Sequence, residues 1–245
     1  MNKLNLLNYF RIRLSPLFIL NKKQIYPTSD LFLWHKNCEI DYMVLNNNFI
    51  FKEKEEVSIR LFILDDKGKI RKINLIEKTD SAFTKIKISN YIDESLGEYG
   101  SFCIFQTLKE KDYARSERGY SYYKNQSSEI ISLVHGNFDA VFENKNKIYP
   151  CSSTTKLKRQ FNLQNYSNIK ESTQYIFSNP TKDSQILNIY DSNMKKIDQF
   201  SLNSLGISIR GPYTSEMINI KSSIPLCRPM ILNDLNGKNF DIFHA

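Results

Sequence analysis

The chain has 245 residues, of which 41% are apolar and 13% aromatic. That is enough to build real cores and too apolar for a disordered protein. The formal net charge is +8, but Lys, Asn and Ile are all heavily used, Lys outnumbers Arg, and acids sit beside the bases. The charge therefore does not specify an anionic partner.

In chain order, residues 6–14 alternate weakly like an edge strand, and Pro16 and Pro27 bracket a loop. Arg11 and Arg13 interrupt any signal-peptide core, and no small-residue cleavage site follows. No apolar stretch is long enough to span a membrane as a helix. A soluble, cytoplasmic protein is the expectation. LFLWHKN (31–37) and EIDYMVL (39–45) read as strands. In the second, Ile40, Tyr42 and Val44 share one face, and Glu39, Asp41 and Met43 share the other.

Residues 58–75 predict a hairpin whose turn, Asp65-Asp66-Lys67-Gly68, places Gly68 at positive φ. FTKIKIS (83–89) alternates, with Lys85 and Lys87 outward to guard an edge. NYIDES (90–95) predicts one helical turn ending at Gly97, and GSFCIFQ (100–106) another strand. Residues 108–118 are charged and lack apolar periodicity. GYSYYK (119–124), EIISLVH (129–135) and NFDAVF (138–143) are further strands. The polar, basic stretch 146–159 reads as a linker.

Beyond it, QYIFSN (174–179) stops at Pro180. A second hairpin spans 185–202, with Asn193 expected at positive φ in its turn. ISIRG (207–211), EMINIKS (216–222), PLCRPMIL (225–232) and NFDIFHA (239–245) close the chain. The two hairpin phrases align without a gap. Ile59 falls on Ile186, Phe62 on Ile189, Ile73 on Phe200 and Leu75 on Leu202, which suggests an internal repeat. The expected fold is all-β with little helix: two tandem antiparallel β-sandwich modules, 1–145 and 160–245. The crossover helices of a doubly wound enzyme are missing.

The phosphate-loop, zincin, nucleophile-elbow and EF-hand motifs are all absent. Cys38, Cys103, Cys151 and Cys227 form no CxxC pair, and Cys103 and Cys227 sit in apolar runs, as buried thiols do. His35, His135 and His244 each end an apolar run. Convergence of the three at one end of a sandwich would make a His₃ zinc site with Glu39 or Asp41 beside it. The spacings of common metal motifs are missing, however, so neither a metal nor any other cofactor is expected.

The candidate ligand-binding residues are His35, Asn37, Glu39, Asp41, His135, Asn137 and His244. Planar hydrogen-bonding groups beside a ring, Trp34 or Tyr42, suit a sugar. Residues 113–124 interleave Tyr with Arg and Lys, a pattern that can hold single-stranded nucleic acid, but the Tyr and acid content there is ordinary for a strand. The favoured function is a non-catalytic binding or accessory module for carbohydrate or protein, with a homodimer as an expected assembly. The alternatives are a metal-assisted hydrolase or sugar-modifying enzyme using the strand-end histidines, and, less favoured, a nucleic-acid-binding protein.

Overall fold

A computed structural model describes residues 28–45, 57–78, 83–108, 114–115, 119–125, 131–135, 141–150, 158–165, 173–235 and 239–244. The expected strand at 6–14 and the residues Asn137 and Cys151 lie outside them. The described chain is almost wholly antiparallel strand. Its first half forms β1 (Thr28–Ser29), β2 (Phe32–His35), β3 (Cys38–Leu45), β4 (Val57–Asp65), β5 (Ile70–Lys78), β6 (Phe83–Lys87), β7 (Tyr99–Leu108), β8 (Ala114–Arg115), β9 (Tyr120–Asn125) and β10 (Ile131–His135). β11 (Val141–Asn144) and β12 (Lys147–Pro150) follow, so part of the stretch expected as linker is a paired strand. The second half contains β13 (Lys158–Gln164), β14 (Thr173–Ser178), β15 (Gln185–Tyr190), β16 (Lys196–Leu202), β17 (Ile207–Arg210), β18 (Met217–Leu226), β19 (Met230–Leu235) and β20 (Asn239–His244). Two 3-10 turns, Ile88–Tyr91 and Glu94–Leu96, stand where a helical turn was expected.

The strands form four principal sheets. Sheet A runs β2-β7-β4-β5, with the short β8 added against β7, and sheet B runs β10-β9-β3-β6. Sheet C runs β13-β18-β15-β16 and sheet D runs β17-β14-β19-β20. Taken in chain order, β2, β7, β4 and β5 occupy the places of β13, β18, β15 and β16, and β10, β9, β3 and β6 those of β20, β19, β14 and β17. The two hairpins thus sit at the same edge of like-ordered sheets.

The register of that likeness differs from the gapless alignment. Asp65 accepts at Oδ1 from the backbone N–H groups of Lys67 and Lys69, and Asp191 does the same for Asn193 and Lys195. Asp65 therefore matches Asp191, not Ser192. Leu61 pairs with Asn74 and Ile104, while Leu187 pairs with Phe200 and Ser222. Ile59, Leu61 and Ile63 are fully buried, as are Leu187 and Ile189, whereas Ile186 is 47% exposed. A slip of one residue exchanges the two faces of a strand, so Ile59 cannot share a role with Ile186. For the same reason the left-handed turn residue is Met194 (φ 63°), not Asn193.

Sheets A and B pack face to face. Ile59, Leu61, Phe102 and Ile104 of sheet A meet Ile40, Tyr42, Tyr123 and Val134 of sheet B. Sheets C and D enclose a second core of Leu187, Ile189, Ile218 and Ile220 against Tyr175, Phe177 and Ile231. Sheet D is apolar on both faces, because Ile176, Ile207, Met230, Leu232 and Ile242 enter the first core. β14 and β19 accordingly each carry three consecutive apolar residues, Tyr175 to Phe177 and Met230 to Leu232, as doubly buried strands do. The run PLCRPMIL is not one strand: β18 ends at Leu226, β19 starts at Met230, and buried Cys227 lies in the connection.

A third cluster roofs the outer face of sheet A, where Phe62, Leu64, Cys103 and Phe105 lie under Leu31, Val141 and Ile148 from the small sheet β1-β11-β12 and its flank, and beside Leu205. Burial pushes the Cys103 thiol well above its ordinary range, with Glu143 adding to the shift. That thiol is a packed apolar group.

Candidate ligand surface

The outer face of sheet B gathers Glu39, Asp41 and His135 of the candidate residues. Strand register fixes three rows across it. His135, Tyr120, Met43 and Lys85 form one, and Leu133, Tyr122, Asp41 and Lys87 the next. Ile131, Lys124 and Glu39 form the third. The inner-facing neighbours Ile40, Tyr42, Tyr123 and Val134 are buried, so alternation drives the intervening side chains outward. Ile131 and Leu133 are 59% and 53% exposed, and Tyr120 is 38% exposed.

This surface has an apolar and aromatic half, on β10 and β9, beside a charged half, on β3 and β6. The Tyr120 ring meets the His135 ring edge-on at 6.2 Å. The Tyr122 hydroxyl points to the Met43 sulfur at 3.8 Å. Lys85 Nζ lies 2.8 Å from Asp41 Oδ2, and the hydrogen bond to that carboxylate raises the Lys85 pKa. Rings, hydroxyls, carboxylates and ammonium groups within one sheet face can stack on a ligand's apolar face and bond its polar rim.

Glu39 and Lys87 also line a cleft of about 650 Å³ at the adjoining end of the sandwich, together with His35, Ser89, Asp93 and Glu98. Much of its polar lining is already engaged. Lys36 pairs with Glu98, and Lys72 with Asp93. The Ser89 hydroxyl accepts from Ile40 N at 2.7 Å. His35 Nδ1 accepts from Asn37 N at 3.2 Å, and its ring stacks parallel to Tyr99. In the neutral ring the proton is then on Nε2. Burial lowers the His35 pKa, with Glu98 opposing and Lys36 reinforcing the shift.

The histidines do not gather as a zinc site requires. His135 is level with Tyr120 and through it with Met43, near the far end of β3, whereas His35 precedes Cys38 at the near end. Cys38 and Met43 are about 16 Å apart along the strand. His244 pairs with Met230 on sheet D. Among the described residues no group of three His, Cys, Asp or Glu side chains could hold a metal ion.

Trp34 and Tyr42, expected as sugar-stacking rings, are both in the core. The Trp34 indole N–H donates to Leu64 O at 2.7 Å, which satisfies the donor that burial would otherwise strand. The rings on the outer face of sheet B are exposed Tyr120 and half-buried Tyr122, which the sequence grouped with a nucleic-acid pattern. Ile131, Leu133 and Met43 were not candidates. Their signal was the outward phase of strands whose inward phase was already legible.

No family model matches the chain, and no curated protein matches it. Among solved structures, a β-glucuronidase from Ruminococcus gnavus aligns at 7% identity over 90% of this chain and 35% of its own, with a TM-score of 0.15. The apo form of that enzyme aligns at 6% identity over 89% of this chain and 36% of its own, with a TM-score of 0.16. This chain thus spans about a third of those proteins, and likeness at that level carries no argument.

Proposed function

We propose that this chain is a non-catalytic carbohydrate-binding or accessory protein, built from a duplicated β-sandwich, with its ligand surface on the outer face of sheet B. The observation that carries the reading is the row in which exposed Leu133 and half-buried Tyr122 run directly into Asp41 and Lys87. A sugar ring has an apolar C–H face and a polar hydroxyl edge, and this row offers a match for each. Like strand order in the two sandwiches supports the duplication. Asp41 is held by Lys85 on an open sheet face, an environment that suits binding better than acid–base work at a water-excluded site.

The test is titration of a panel of soluble oligosaccharides into the protein by calorimetry. Tyr122→Ala should weaken the best ligand about tenfold, close to 1.4 kcal/mol, with unchanged far-UV circular dichroism. Unaltered affinity in that variant contradicts the placement, and release of new reducing ends contradicts the non-catalytic reading. The exposure of Ile131 and Leu133 favours a second reading, a protein ligand on the same face. Silence of the whole glycan panel, with a protein partner lost on Leu133→Ser, selects it.

A further inference from the structure

We propose that the outer face of sheet C is a separate ligand surface for an extended acidic polysaccharide. Register places Gln160, Lys221, Asn188 and Gln199 side by side across the four strands. The adjacent row is Asn162, Asn219, Tyr190 and Lys196. All of these side chains are at least partly exposed. With strands about 4.8 Å apart the rows are about 15 Å wide, room for several sugar units.

A carboxamide carries two donors and an acceptor in one plane, which suits neighbouring sugar hydroxyls; Gln160 Nε2 gives one N–H to Asn162 Oδ1 and Asn219 Nδ2 one to Asp191 O, which leaves each a second donor. Lys221 Nζ rests 5.2 Å from the centre of the Tyr190 ring, so the ring holds an ammonium in place among the amides. Lys196 Nζ is fixed by Gln199 Oε1 at 2.7 Å. Fixed cations lose little freedom when a ligand arrives. Beside the rows a depression of about 700 Å³ is lined by Ile186, Gln199, Ser201 and Arg210. Among the described side chains pointing outward from these strands there is no carboxylate. The charge therefore complements an anion, and the amides complement its hydroxyls. Tyr190 is the only ring in the two rows, so the face lacks the succession of aromatic platforms that nucleobases use.

The matching positions on sheet A sharpen the point. Phe62, Leu64 and Cys103 stand there in the places of Asn188, Tyr190 and Lys221, and they are roofed by Val141 and Ile148. One face is closed by its own chain, and its counterpart is polar and open.

The experiment titrates the full chain with a polyuronate oligomer, a neutral β-glucan oligomer of equal length and a single-stranded oligonucleotide. The polyuronate should bind at least tenfold more tightly than the glucan and weaken with added salt. Lys221→Gln with Asn188→Ala should cut that binding about tenfold, while Tyr122→Ala on sheet B leaves it unchanged. On the unaltered protein, the side-chain NH₂ resonances of Gln160, Asn188 and Asn219 should shift on titration, a readout independent of any variant's folding. Binding of the glucan to the Tyr122→Ala protein as tight as that of the polyuronate, tighter binding of the oligonucleotide, loss of polyuronate binding through Tyr122→Ala alone, or unshifted amide resonances would each overturn the proposal.

Discussion

His35 is held neutral by its surroundings. Burial disfavours the imidazolium, and Nδ1 is already an acceptor for Asn37 N. The folded pKa lies below the ordinary 6.5, so on acidification the unfolded chain takes up the proton first. The stabilising contribution is complete above 6.5 and is lost as pH falls from there through the folded value. Denaturant titrations at pH 7.5 and 5 should show lower stability at pH 5, with a smaller difference in His35→Asn. An unchanged pH dependence in the variant contradicts the assignment. The sequence placed His35 at a strand end, and β2 does end there. It could not show that the neighbouring Trp34 would find a carbonyl acceptor and enter the core. Alternation assigns a residue to a face of its strand, but which face is wet depends on the sheet packed against it. The same ambiguity hid the outward placement of Tyr120 and Tyr122 on sheet B.

Hairpins were the most legible features, because an alternating run, a polar turn and a second run constrain one another locally. Their mutual register was not legible. Isoleucines stand at Ile59 and Ile186, yet the turn bonds of Asp65 and Asp191 set the faces one residue apart. Nor could spacing alone reveal that the first turn docks on the second sandwich. Asp66 O accepts from Ile207 N at 2.9 Å, and a Cβ on Gly68 would meet Ser204 O at 2.3 Å. Across that contact Asn179 ties the receiving loop, its Nδ2 donating to the carbonyls of Asp183, Leu202 and Asn203 and its Oδ1 accepting from Thr181 N. Gly68 (φ 80°) and Gly97 (φ 95°) are both left-handed, but nothing lies within 4 Å of a Cβ on Gly97. Each substitution to Ala should cost about 1–3 kcal/mol for its φ. Gly68→Ala should cost clearly more than Gly97→Ala in chemical unfolding, and equal costs contradict the docking.

The whole molecule departs from two tethered sandwiches in one respect that composition could not reveal. Sheet D belongs to both cores, and the abutting edge strands β10 and β20 are joined where the Ser132 hydroxyl donates to Asp241 Oδ1 at 2.6 Å and accepts from Ile242 N. Sheet D is buried on both faces, so it loses covered apolar surface if either neighbour is taken away. Removing sheets A and B would expose Ile176, Met230 and Leu232, and removing sheet C would expose Tyr175, Phe177 and Ile231, a penalty of about 1.5–3 kcal/mol per side chain in either case. The outer faces of sheets B and C are then fixed relative to each other by a shared interior. Scanning calorimetry of the full chain tests this most directly. A single transition, with calorimetric and van 't Hoff enthalpies in a ratio of about 1, is the predicted result; two resolved transitions, or a ratio near 2, would show two independently melting sandwiches and contradict the shared core.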